Sequence, residues 1–208
     1  MGAWSRMTAR AVGLEVRVRG TPAPPGSLVA ANHVGYLDIL ALGATVPGRF
    51  LAKAEIAGWP LLGWLARQGG TVFLERERPR HVRQWIGRLA QLLGRGERLI
   101  LFPEAGVSAD GVSLERFRPM VFEAAVRAGR PVVPVALCYV EPPDPRVWAW
   151  TDEPSLWKHL WHRVLPAGRI VVEVRFGRSL FPDAGGRKAL ARRTRDEVAR
   201  MLSVGLQR

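Results

Sequence analysis

The stretch SLVAANHVGYLDILAL, residues 27–42, contains a strand, a turn and the start of a helix. SLVAAN is a short apolar run of the kind that lies buried in a sheet, and it leads straight into His33. A helix is expected from about Tyr36 to Leu42, with Asp38 in its first turn, where a carboxylate suits the positive end of the helix dipole. In a continuous helix His33 and Asp38 would stand about 140° apart around the axis and could not meet. An intervening turn lets the carboxylate fold back to one imidazole nitrogen. Strand–turn–helix is the unit of open α/β sheets, in which chemistry gathers on the loops at strand ends.

The same alternation continues outward. Leu14, Val16 and Val18 have the period of a strand that ends at the proline-rich loop GTPAPPG. Downstream come a strand RFLAK, a short apolar helix WPLLGWLAR and a strand TVFLER. Next, PRHVRQWIGRLAQLLGRG places Val82, Ile86, Leu89 and Leu93 at helical spacing, opening on proline and closing on glycine. A strand RLILF, the loop PEAGVSADGVSLERFR, a helix PMVFEAAVRAG and a strand PVVPVALCYV follow. This order predicts an α/β fold: a mixed, mostly parallel sheet with helices on both faces, in a single domain over residues 1–208. Its core would span 27–140, followed by a tryptophan-rich insertion at about 141–168. A strand RIVVEVRF and a basic helix from about Gly185 to Leu206 complete the chain.

Composition narrows the classes of function. With 208 residues, 48% of them hydrophobic, the chain can bury one substantial core. Cys138 is the single cysteine, which excludes an intramolecular disulfide and a cysteine-rich metal site, and its apolar surroundings read as core. The net charge of +13 suits an anionic partner. All but Lys53, Lys158 and Lys188 of the 31 basic residues are arginine, a bias that a genome's base composition would also produce. No signal peptide is visible, and the most apolar stretch outside the strands, IAGWPLLGWLA, falls short of the roughly 20 residues that span a bilayer.

A carboxylate on one ring nitrogen of His33 sets its tautomer and makes the other nitrogen a better proton acceptor. The chain has no nucleophile elbow, no phosphate-binding P-loop and no metal-spaced His/Cys set, so the hydroxyl to be activated would belong to a substrate. Alone, the pair fits a structural histidine as well as a catalytic one. Arg76, just past a buried strand, could grip phosphate bidentately, or be one exposed arginine among many. Glu104 follows a strand and a proline, with small residues beyond it that let backbone approach a ligand, or simply form a tight turn.

Together and in this order, NHVGYLD, GGTVFLER, FPEAGVS and PVVPVAL resemble the four blocks of the glycerolipid (lysophospholipid) acyltransferases, of which 1-acylglycerol-3-phosphate acyltransferase is typical. The resemblance implies transfer of an acyl group from a thioester, on coenzyme A or acyl carrier protein, to a lysolipid hydroxyl, with no other cofactor and no metal. It implies His33 as general base and Asp38 as its orienter. It places Asn32, Arg76, Glu104, Gly106, Ser108, Arg118 and Pro134 in contact with substrates. The third block departs from the family's F-P-E-G-T-R-S, since Ala105, Gly106 and Val107 precede Ser108 and the usual arginine is missing. Arg116 or Arg118 could replace that cation. Otherwise the acceptor is another lysolipid, such as lyso-ornithine lipid, rather than 1-acylglycerol-3-phosphate.

A lipid acceptor requires membrane contact, expected through Trp59 and Trp64 and, in the insertion, Trp148, Trp150, Trp157 and Trp161, the last two lying one turn apart among Lys158, His159, His162 and Arg163. The protein is therefore expected as a peripheral protein on the cytoplasmic face of the membrane, attracted to anionic lipid. The reading from another class is a basic, non-catalytic module for membranes or nucleic acid; no nucleic-acid-binding motif supports the latter.

Overall fold

The computed structural model describes residues 2–59, 62–75, 79–104, 106–151 and 155–203. Among these residues seven strands form one sheet in the order β1-β7-β6-β2-β5-β3-β4. They are β1 (Leu14–Arg19), β2 (Leu28–Ala31), β3 (Arg49–Lys53), β4 (Val72–Leu74), β5 (Leu99–Leu101), β6 (Val132–Glu141) and β7 (Ile170–Phe176). Among the described strands only the β6–β7 pair is antiparallel, so the expected mixed, mostly parallel sheet is what forms.

Strands in the middle of such a sheet are covered on both faces and read as unbroken apolar runs. All four residues of β2 are buried, as are the first seven of β6. Alternation divides them between two cores. Val29, Ala31, Ile100, Val133, Val135 and Leu137 face one side, covered by α1 (Gly2–Ala11) and α2 (Leu37–Thr45). Leu28, Ala30, Leu99, Leu101 and Ala136 face the other, covered by α4 (Pro79–Gly94), α5 (Glu123–Ala128) and α8 (Gly186–Ser203). The remaining helices are α3 (Leu62–Gln68), α6 (Leu156–His159) and α7 (Leu165–Ala167). A π-helical stretch, Leu160–Val164, joins the last two.

Topology places the site. From β2 the chain leaves through α2 on the first face toward β3; from the adjacent β5 it leaves through α5 on the opposite face toward β6. Neighbouring strands whose connections diverge in this way open a crevice at their carboxyl ends, where open α/β sheets bind ligands.

Two features differ from the sequence reading. Helix α1 was not expected, because it buries only Ser5 and Ala9 and so lacks an apolar stripe. It packs by close approach: a Cβ on Gly43 of α2 would come within 2.5 Å of Ser5 Oγ. The insertion packs against the first face, with Trp148 and Val164 in its core, so Trp148, expected at the membrane, is 5% exposed and belongs to the protein interior.

Candidate active site

His33 leaves the end of β2, and Asp38 occupies the first turn of α2. Asp38 Oδ2 lies 2.8 Å from His33 Nδ1 and accepts the backbone N–H groups of Val34 (2.6 Å) and Gly35 (3.0 Å). Its other oxygen, Oδ1, accepts the hydroxyl of Tyr139 at 2.7 Å. Asp38 is fully buried, and four donors plus the helix N-terminus replace the water it has lost. A carboxylate only accepts, so His33 Nδ1 carries the proton and Nε2 keeps its lone pair. The His33 side chain stays 25% exposed, enough for a substrate to meet that nitrogen.

The loop after β5 holds the histidine on three sides. The Phe102 ring stacks on the imidazole at 4.0 Å with 13° between planes. Glu104 Oε1 accepts the His33 backbone N–H (3.1 Å), while Ser108 N donates to the His33 carbonyl (2.7 Å). Glu104 Oε2 accepts the N–H of Glu115, so both its oxygens serve backbone. Burial raises the Glu104 carboxyl above its ordinary range, against the lowering effect of these two N–H groups. Ser108 Oγ donates to Asp110 and accepts from Gly111 N, which folds the loop on itself.

The insertion closes over the same turn. Trp150 N donates to the Val34 carbonyl at 3.0 Å, and a Cβ on Gly35 would come within 3.0 Å of the Trp148 carbonyl, so a side chain there would have to displace the insertion's backbone by a few tenths of an ångström. The Tyr36 hydroxyl lies 3.0 Å from His159 Nδ1, and His159 Nε2 lies 3.0 Å from the Arg146 carbonyl. A carbonyl only accepts, so Nε2 carries the proton and Nδ1 accepts from Tyr36. His159, expected as a basic flank of the tryptophans, is 3% exposed and belongs to the core.

Of the expected substrate contacts, Asn32 and Pro134 lie in the sheet. Asn32 is fully buried and exchanges two hydrogen bonds with the Leu137 backbone. Pro134 pairs with Ala30 inside the sheet. Its carbonyl accepts Gly177 N beyond the last β6–β7 pair, so its missing N–H falls where the ladder has ended. Gly106 and Val107 are exposed at the loop, and Arg118 is exposed with its backbone N–H on the Pro103 carbonyl. Arg76 lies outside the described residues. Lys53, exposed at the carboxyl end of β3 beside β5, was not singled out from sequence; its signal was a lysine ending an apolar strand. Tyr139 had none beyond its polar tip. Among the described residues no cluster of three His, Cys, Asp or Glu could hold a metal.

Trp59, Trp64, Trp157 and Trp161 are all exposed, and Trp59 packs edge-on against Trp150 at 6.4 Å, which joins the first patch to the insertion. Among the described residues no helix is long and apolar enough to cross a membrane.

Residues 15–138 match the model of a family described as Acyltransferase. The chain is 42% identical over 138 residues to the 1-acyl-sn-glycerol-3-phosphate acyltransferase of Neisseria gonorrhoeae, covering 65% of this chain and 52% of that protein. It is 33% identical over 222 aligned positions to the lyso-ornithine lipid O-acyltransferase of Brucella abortus, covering 97% of this chain and 80% of that protein. The crystal structure of the 1-acyl-sn-glycerophosphate acyltransferase PlsC from Thermotoga maritima matches with a TM-score of 0.73 over 100% of this chain and 78% of that one; at 23% identity this is a likeness of fold. The chain spans about half the length of the first curated relatives it matches.

Proposed function

Because the chain belongs to the Acyltransferase family, we propose that it transfers a fatty acyl group from an acyl thioester to the hydroxyl of a lysolipid. The observation that carries this reading is the pairing of His33 Nδ1 with the buried Asp38 carboxylate, which leaves Nε2 as a base at the mouth of the β2–β5 crevice. In the proposed reaction Nε2 takes the proton of the acceptor hydroxyl as its oxygen attacks the thioester carbonyl. The C–O bond forms, the tetrahedral intermediate collapses, the C–S bond breaks, and the leaving thiolate takes the proton back from the imidazolium. Asp38 orients the ring and stabilises its charged form. A thioester is already activated, so positioning two substrates and moving one proton suffices without an acyl-enzyme. The donor is acyl-coenzyme A or acyl-acyl carrier protein, with no further cofactor.

The acceptor in the first reading is 1-acylglycerol-3-phosphate, giving phosphatidic acid, as in the name of the Neisseria relative. Arg76, Lys53 and Arg118 are the cations that would meet its phosphate. A specific observation favours a second reading, lyso-ornithine lipid: exposed Val107 stands where the family carries its arginine, and the Brucella relative bears that substrate in its name. The lipid acceptor is met at an anionic bilayer surface on the cytoplasmic side, through Trp59, Trp64, Trp157 and Trp161.

The test is thiol release by the purified chain from acyl-coenzyme A and acyl carrier protein donors, with each lysolipid in turn. Turnover should be lost in His33→Ala while the fold persists. Parental turnover in that variant would overturn the mechanism, and the acceptor with the highest kcat/KM decides between the two lipids.

A further inference from the structure

We infer that Tyr139 is a positioning residue for the His33–Asp38 pair: its hydroxyl holds Asp38 Oδ1 and thereby sets how strongly the carboxylate supports the imidazole. This rests on the reading of His33 as the base. Strand β6 extends beyond β2, whose last pairing is Ala31 with Val135, and so carries its later residues over the histidine turn. Alternation puts Val133, Val135, Leu137 and Tyr139 on the α2 face, so the Tyr139 ring must point toward Asp38. Trp148 fixes the ring from behind, stacked at 4.9 Å and 12°, and is itself anchored by its indole N–H on the Pro142 carbonyl at 3.0 Å.

The two oxygens of Asp38 have different work. Oδ2 takes the His33 ring and two backbone N–H groups; Oδ1 takes Tyr139. Without the phenol, a fully buried anionic oxygen loses its donor. A donor on the charged form also makes a carboxylate less basic. Removing it concentrates charge on Asp38, strengthens its hold on the protonated ring, and makes Nε2 give up its proton less readily. Burial and the neighbouring Asp38 charge push the Tyr139 phenol well above 10, which keeps it a donor at working pH. The other titratable groups at the pair are Glu104 on the His33 backbone and Tyr36, whose hydroxyl is bound to His159.

Tyr139→Phe keeps the stacked ring and removes only the hydroxyl. In the full chain, kcat should fall about tenfold with KM for the lysolipid within about twofold, and the acid limb of the kcat/KM profile should move to higher pH. The titration midpoint of the His33 ring, followed by NMR without substrate, should move the same way; with 4 histidines in the chain, His33→Ala assigns the signal. If Tyr139→Phe does not fold, 3-fluorotyrosine at 139 provides a stronger donor and should move the midpoint to lower pH. A midpoint and kcat equal to the parent's would overturn the inference. The NMR titration needs no turnover, so its failure is distinct from failure of the acyl-transfer reading, which shows as no thiol release by the parent.

Discussion

Asn32 and Leu137, 105 residues apart, exchange a pair of hydrogen bonds: the Asn32 amide donates to the Leu137 carbonyl at 3.1 Å, and its oxygen accepts the Leu137 N–H at 2.8 Å. The side chain thus continues the β2–β6 ladder where β2 has ended, immediately before His33. Asn32→Ala leaves a buried N–H and C=O without partners, a loss of about 2–4 kcal/mol. A fall in denaturation midpoint together with reduced turnover is expected. Unchanged stability with altered lysolipid KM would instead return Asn32 to substrate contact.

Asp38→Asn should separate charge from geometry. Three N–H groups face the Oδ2 position, so the amide oxygen will take that place and the His33 tautomer is retained; Tyr139 then accepts from the amide nitrogen. The variant should keep a near-parental melting temperature and lose about a hundredfold in kcat, because the imidazolium has lost its counter-charge. Asp38→Ala, which empties four donors at once, should lose stability as well.

Glu104 makes stability depend on pH. Below its ordinary 4.5 the folded and unfolded chains both hold the proton; above it the unfolded chain releases first, because burial raises the folded value. Stability from this group therefore falls as pH rises from 4.5 through the raised folded value, and the penalty is constant beyond. Glu104→Gln removes that slope and loses one backbone hydrogen bond at every pH. Thermal unfolding in steps upward from pH 4.5 should show the parent's lead over Glu104→Gln shrinking.

Trp157 and Trp161 are 53% and 64% exposed on the segment that closes over the histidine turn. Replacing both with alanine should weaken binding to anionic vesicles about tenfold, since interfacial aromatics contribute much of such binding. Turnover on a short-chain, water-soluble acceptor should persist. Equal vesicle binding by the variant would remove this face from membrane contact.

Cys138 is the opposite case, a group kept from chemistry. It is 9% exposed, and burial pushes its thiol up to about 11. A disulfide reagent at pH 8 should leave the folded chain unmodified and label one thiol per chain in denaturant.

Much of the sheet was legible because its strands are buried on both faces: β2, β5 and β6 read as continuous apolar runs, and α4 shows its helical period. Helix α1 was not, since a helix docked through Ser5 and Ala9 against a glycine leaves no apolar pattern. The position of β1 beside β7 was equally hidden, because strand pairing across most of the chain has no local signal. Polar residues misled in one consistent way. Asn32 beside the histidine reads locally as a substrate contact and His159 between two tryptophans as a surface cation, yet both are buried with partners on distant elements.

By itself the sequence determined which groups are at hand: a histidine ending a buried strand, an aspartate five residues on, and the third block whose phenylalanine, proline and glutamate follow another buried strand. These follow from side-chain type and from periods of a few residues. Only the tertiary structure decided that the third block holds His33 by the Phe102 ring and by the Glu104 carboxylate, the latter from 71 residues away, that Asn32 ties β2 to β6, and that Tyr139 completes the shell of Asp38. The physical reason is that register between distant strands follows from the packing of both cores together. Which polar side chains are left beside His33 is settled only when that register is set.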